Sequence, residues 1–148
     1  MTPPEWAYAA ALAGLPYMGW DRLAAIIADG GPRQAWERVR SGEAGPAWAR
    51  AARCTSVEQV ASEHLGAGVS VRVRGEEGYP SPLDADPEAP PVLFARGALE
   101  ALERPRVGIV GTRRCSGYGT DVARHLGRQL AGAGVAVVSG LALGIDGA

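Results

Sequence analysis

Apolar positions recur along this chain with two different periods, and the change from one to the other divides it. From Trp6 to Leu15 the residues are apolar on most sides and run into Gly14-Leu-Pro-Tyr-Met-Gly19, which predicts a well-buried helix followed by a turn. Trp20-Asp21 opens a second predicted helix through Ile27, stopped by Gly30-Gly31-Pro32. Gln34 to Val39, Ala47 to Arg53 and Val57 to Leu65 predict three more. All four tryptophans precede position 49 and are expected in the core of this helical part. Gly66-Ala-Gly68 reads as a linker. Beyond it Val69, Val71 and Val73 alternate with Ser70, Arg72 and Arg74, the period of a half-exposed strand opening a second domain. Residues 80–91 are rich in proline and acid and predict a loop, and Val92 to Ala95 a short strand.

The most informative stretch begins near residue 106. Val107, Ile109 and Val110 form a short run suited to a strand buried on both faces. Gly111 permits a tight turn and the close approach of a ligand. Arg113 and Arg114 come next, with Ser116, Tyr118 and Thr120 supplying hydroxyls near a helix start. Val122, Leu126 and Leu130 recur at i, i+4 and i+8, one apolar stripe on a helix from about Gly117 to Ala131. Val135, Val137 and Val138 make a second strand, and Ser139-Gly140 opens a second glycine-rich loop. Strand, loop, crossover helix and strand make a βαβ unit whose loops meet at one edge, where α/β sheets bind phosphate-bearing ligands. One helix covers only one face of such a sheet, so exposed apolar surface is expected.

The spacing excludes two common phosphate motifs. Gly108-Ile-Val-Gly111-Thr-Arg lacks the G-x-G-x-x-G dinucleotide fingerprint, and the second strand ends without the acid that would hold a ribose. The P-loop pattern is absent, and the chain contains no lysine. An arginine directly after the glycine turn points to a phosphate clamp.

G-T-R-x-x-S-x-Y-G from Gly111, followed some twenty residues later by S-G-L-A-x-G-I-D from Ser139, resembles the DNA-processing protein family DprA, also called Smf. Tyr79-Pro80-x-x-Leu83 and Pro90 to Gly97 resemble the family's approach to its Rossmann-like domain, and the helical region is similar in size and pattern to its small SAM-like domain. The resemblance spans nearly the whole chain, but only residues 79–146 carry distinctive motifs. It implies an α/β chain: a helical SAM-like domain over 1–66, then over 67–148 the start of a Rossmann-like parallel-sheet domain, truncated at Ala148. It also implies a cytoplasmic, non-enzymatic single-stranded DNA-binding protein of DNA processing and natural transformation. Such a protein protects incoming strands and helps load the recombinase RecA, with a homodimer formed through regions beyond this chain. No cofactor, metal, catalytic residue or membrane contact is implied. Arg113 resembles the family's DNA-contacting arginine, with Gly111, Thr112, Arg114, Ser116, Tyr118, Gly119, Ser139, Gly140 and Gly144 building the same pocket. Many members carry arginine where this chain has Leu143, a departure that would weaken phosphate attraction.

Charge sharpens this picture. The net charge of −1 argues against a general nucleic-acid binder. Residues 1–103, however, carry nine arginines against fourteen acids, and residues 104–148 six arginines against two, so positive charge gathers with the glycine loops. No apolar run approaches twenty residues, and Met1-Thr-Pro-Pro-Glu is no start for a signal peptide.

Several residues keep two readings. Arg114 reads equally as anion ligand or surface charge. Tyr118 stacks on a base or packs on its helix. Ser139 coordinates phosphate or satisfies its turn. Asp146 is most simply an N-cap for a following helix. Leu12 to Gly19 resembles a degenerate helix-hairpin-helix, with an ordinary αα-hairpin favoured because basic residues near the turn are few. Cys54 and Cys115 are too few for a disulfide framework or metal site, and His64 and His125 lack partners at ligand spacing. The rival function is a nucleotide-processing enzyme of the lysine-decarboxylase-like group, whose P-G-G-x-G-T-x-x-E motif is absent from these residues.

Overall fold

The structure is a computed structural model that describes residues 2–148. The chain divides into two compact units, one up to Gly97 and one from Ala98. In the first, α1 (Glu5–Ala13) is the central helix, with α2 (Trp20–Ala28), α3 (Gly31–Ser41), α4 (Pro46–Arg53) and α5 (Val57–Gly66) around it. Ala7, Ala9 and Leu12 on α1 are fully buried, as the nearly continuous apolar run requires. The run of alanines lets neighbouring helices approach closely, and Leu23, Trp36, Val39 and Ala52 close the core around it.

Helix α3 begins earlier than the sequence predicts. Pro32 sits in its first turn, where proline costs no hydrogen bond, so Gly30-Gly31-Pro32 starts a helix as well as stopping one. Of the four tryptophans Trp36 is buried and Trp6 and Trp48 are half-buried against the core, but Trp20 is 59% exposed at the start of α2. The Leu12–Gly19 turn is held as an αα-hairpin: the Trp48 indole donates to Pro16 O at 2.9 Å and Arg22 donates to Tyr17 O at 3.1 Å.

Strands β1 (Ser70–Val73) and β2 (Val92–Ala95) pair antiparallel, with Val71 opposite Phe94 and Val73 opposite Val92. Val71, Val73 and Val92 enter the helical core, so packing groups residues 70–97 with the helices and not with residues 98–148. The segment between the strands is not plain loop: it contains the one-turn helix α6 (Ser81–Asp84). Arg74 organises it. Its guanidinium donates to the carboxylate of Asp84 and to the carbonyls of Asp84, Asp86, Pro87 and Ala89 at 2.8–3.3 Å, a fan of acceptors suited to a planar five-donor group. Tyr79 donates to Pro90 O at 2.8 Å, and burial pushes its phenol up from the ordinary range. Arg74→Ala is expected to loosen residues 80–91 by about 1–2 kcal/mol, read as faster amide exchange confined to that segment. Full protection in Arg74→Lys would contradict the fan geometry.

The second unit contains a 3₁₀ turn (Leu99–Glu103), β3 (Arg106–Gly108), α7 (Gly117–Gly132) and β4 (Ala136–Val138). The two strands are parallel, Val107 opposite Val137, with α7 as the crossover, so the βαβ reading of the sequence holds. Two of its details are corrected. Strand β3 is not buried on both faces: all three residues are exposed, and Val110 lies beyond the strand. The stripe Val122-Leu126 faces solvent, and the inner face of α7 is Ala123 and Gly127, with Leu130 half-buried. Small residues let the helix lie close on a two-stranded sheet. Val107, Val137 and Val138 remain exposed on the sheet, the uncovered apolar surface a single crossover helix leaves.

Candidate anion-binding site

The site forms where β3 and β4 end. The ladder continues one bond past the strand, Ile109 N donating to Val138 O at 3.0 Å, so both chains leave the sheet side by side. The first loop then runs to Ser116, whose hydroxyl caps α7 by accepting from Gly119 N at 3.2 Å. Thr120 N is satisfied by Ser116 O at 3.1 Å. The amides of Gly117 and Tyr118, in the first turn, have no partner among the described residues. A sixteen-residue helix thus presents open N–H groups and the positive end of its dipole at the loop edge.

Beside them stand the arginines. Arg113 and Arg114 are both exposed, and no acceptor lies within bonding distance of either guanidinium among the described residues. Tyr118 is 80% exposed, which leaves its ring face open for stacking and removes the reading that it packs on its own helix. The exposed Thr112 hydroxyl accepts from Arg114 N at 3.2 Å and so shapes the loop. Cys115 lies beside the Thr120 hydroxyl at 3.2 Å, a small half-buried group behind the loop.

The second loop braces the first. Ser139 donates to Ile109 O at 2.7 Å and so ties the two loops. Ile145 N donates to Thr112 O at 3.2 Å. A Cβ on Gly111 would lie 2.7 Å from the Ile145 side chain, so this glycine makes room for Ile145. Gly144 adopts φ +91°, and a Cβ there would lie 2.2 Å from Thr112 O. Asp146 Oδ1 accepts from Gly111 N at 3.0 Å, across thirty-five residues of chain. The sequence reading did not foresee these contacts of Ile145 and Asp146 with the first loop. The signal available was their place directly after Gly144, facing a glycine turn that fits no nucleotide fingerprint. Leu143, at the position where many members carry arginine, is 82% exposed at the same edge.

The residues named from the sequence therefore separate into two groups. Arg113, Arg114, Tyr118 and the Ser116–Gly119 turn face solvent around the open amides. Gly111, Thr112, Ser139, Gly140 and Gly144 lie where the two loops meet. A parallel βαβ unit with a basic glycine loop at a helix start defines a Rossmann-like α/β fold. The sequence profile of the family described as DNA recombination-mediator protein A matches residues 70–148, more than half of the chain, and the chain belongs to that family. It is 46% identical over 70 residues to the DNA processing protein DprA of Bacillus subtilis, covering 47% of this chain and 24% of that protein. A Mycobacterium tuberculosis relative bearing the DprA name is 32% identical over an alignment covering 99% of this chain and 41% of its own length. The chain thus spans less than half the length of these relatives. The crystal structure of DprA from Streptococcus pneumoniae superposes with a TM-score of 0.58 at 21% identity, covering 99% of this chain and 52% of that one, a likeness of fold. The DprA/Smf resemblance read from the two loop motifs is thereby established. Among the described residues no helix is long and apolar enough to cross a membrane.

Proposed function

We propose that this chain binds single-stranded DNA, with Arg113 and the open amides at the start of α7 gripping phosphate. The observation that carries the reading is the pair of exposed guanidinium groups of Arg113 and Arg114, unpartnered among the described residues, beside unsatisfied helix N–H groups. Arg114 is the second phosphate ligand. Tyr118 offers an open ring next to that grip, which suits a strand whose bases are accessible, whereas a duplex hides its base faces. Belonging to a recombination-mediator family supports the wider role: protecting single strands and assisting RecA loading in the cytoplasm, without a catalytic step or cofactor. The family match begins at residue 70, which supports a family domain over 67–148 after a SAM-like helical domain over 1–66, even though β1 and β2 pack with the helices. The RecA contact and a homodimer belong to the protein as a whole.

The test is fluorescence anisotropy with labelled oligo(dT) and a duplex of equal length. Preference for the single strand is expected, with a loss of about sevenfold in affinity between about 50 and 200 mM salt if two phosphates are neutralised. Equal or better binding of duplex, or no salt dependence, would defeat the reading. Tyr118→Ala is expected to weaken binding about tenfold, since stacking one base is worth roughly 1–3 kcal/mol, while Tyr118→Phe keeps it. An unchanged Tyr118→Ala affinity would remove the ring from the site.

A further inference from the structure

The site contains a carboxylate at its centre, an unexpected group for a phosphate binder. Asp146 Oδ1 accepts from Gly111 N at 3.0 Å, and its Oδ2 lies 3.1 Å from where a Cβ on Gly140 would stand. Gly111 and Gly140 head the two loops, and the carboxylate is bonded to the first while lying against the second. The adjacent Ile145 completes the tie, its N–H on Thr112 O and its side chain packed where Gly111 and Gly119 lack a Cβ. Among the described residues no arginine lies within ion-pair distance of Asp146, so its charge is not neutralised at short range. The Gly111 amide, directly before Thr112 and Arg113, is consumed by this bond and is closed to a ligand.

Resting on the DNA-binding reading above, we infer that Asp146 is a positioning residue of the phosphate site with two opposed effects. Its hydrogen bond holds the Arg113 loop in its binding shape, and its charge lowers the affinity of that loop for phosphate. The two effects separate chemically. The hydrogen bond needs only an acceptor oxygen, which asparagine retains; the repulsion needs the negative charge, which asparagine lacks. Alanine loses both, and the loop loses its tie.

Asp146→Asn, Asp146→Ala and Arg113→Ala are compared with the wild-type chain in oligo(dT) anisotropy at low and high salt, with circular dichroism as the check of folding. Asp146→Asn is expected to bind about threefold more tightly at low salt, the gain fading at high salt as screening removes the repulsion. Asp146→Ala is expected to bind about tenfold more weakly, the scale of a lost hydrogen bond to a charged group. The Gly111 amide, followed by hydrogen exchange, should stay protected in wild type and Asp146→Asn and exchange rapidly in Asp146→Ala. A loop tie of purely structural importance would produce no salt-dependent gain in Asp146→Asn. Asp146→Asn binding no tighter than wild type overturns the inference, as does Asp146→Ala binding like wild type. If Asp146→Ala fails to fold, Asp146→Asn and the Gly111 exchange decide alone. Failure of the parent reading looks different: a wild-type chain that binds no oligo(dT), or an Arg113→Ala chain that binds as well, defeats the DNA site itself and this inference with it.

Discussion

Arg113→Ala is expected to lower the affinity for oligo(dT) by about 2 kcal/mol, roughly thirtyfold at low salt, the scale of a charge-assisted hydrogen bond to phosphate. The loss should be large because nothing among the described residues competes for this guanidinium: it is exposed and stands beside the open amides of Gly117 and Tyr118. Removing one phosphate contact should also reduce the slope of log affinity against log salt by about 0.7. That change of slope separates loss of a phosphate ligand from general weakening. Arg113→Lys keeps the charge but not the planar fork, and is expected to fall between the two. A folded Arg113→Ala chain with unchanged affinity and slope would mean that DNA, if bound, is held elsewhere. Arg114→Ala should show the same direction with a smaller loss, since Arg114 lies one residue nearer to the cap.

Gly144→Ala is the second large expected effect, and it acts through the backbone of the Arg113 loop and not on a guanidinium. Gly144 has φ +91°, a conformation that costs a residue with a Cβ about 1–3 kcal/mol. The added atom would also stand 2.2 Å from Thr112 O and 2.8 Å from Arg113 Cα. Both are backbone contacts, so no side chain can swing aside. The loops must separate, which breaks the Ile145–Thr112 bond and frees the segment carrying Arg113. Binding should then fall at least as far as in Arg113→Ala, with fast exchange over residues 109–116. Gly134→Ala is the matched control: its φ is +79°, but its Cβ would meet nothing within 4 Å. It should lose about 1 kcal/mol of stability and keep its DNA affinity. Should Gly144→Ala bind like wild type, the second loop is not the support of the first.

These two variants mark the boundary of what can be read from the residues in order. The βαβ unit was legible because it rests on local signals: a β-rich run, a glycine turn, a helical stripe with a cap at Ser116, and a second β-rich run. The five helices were legible for the same reason, within a residue or two except at α3, where Pro32 sits in the first turn of a helix and not at its stop. The exposure of Arg113 and Tyr118 was legible because it follows from position at a helix start. The inner face of α7 was not. Valine and leucine at i and i+4 outweigh alanine and glycine in any hydrophobic pattern, but the sheet took Ala123 and Gly127 because small residues permit close approach. The bracing contacts of the second loop were equally hidden, since serine and glycine at these positions carry no local signal for a partner thirty residues away.

The amino-acid order alone determined the elements, their sequence, the gathering of arginine near the glycine loops and the family to which those loop motifs belong. Each depends on residues close together in the chain or on a motif of a few positions. Tertiary structure alone decided that Gly111 makes room for Ile145, that Asp146 reaches back to the Gly111 amide, and that β1 and β2 pack with the helices. Those outcomes depend on contacts between residues tens of positions apart. Local periodicity carries no information about such pairs, because the free energy that selects them is shared across the packed interface.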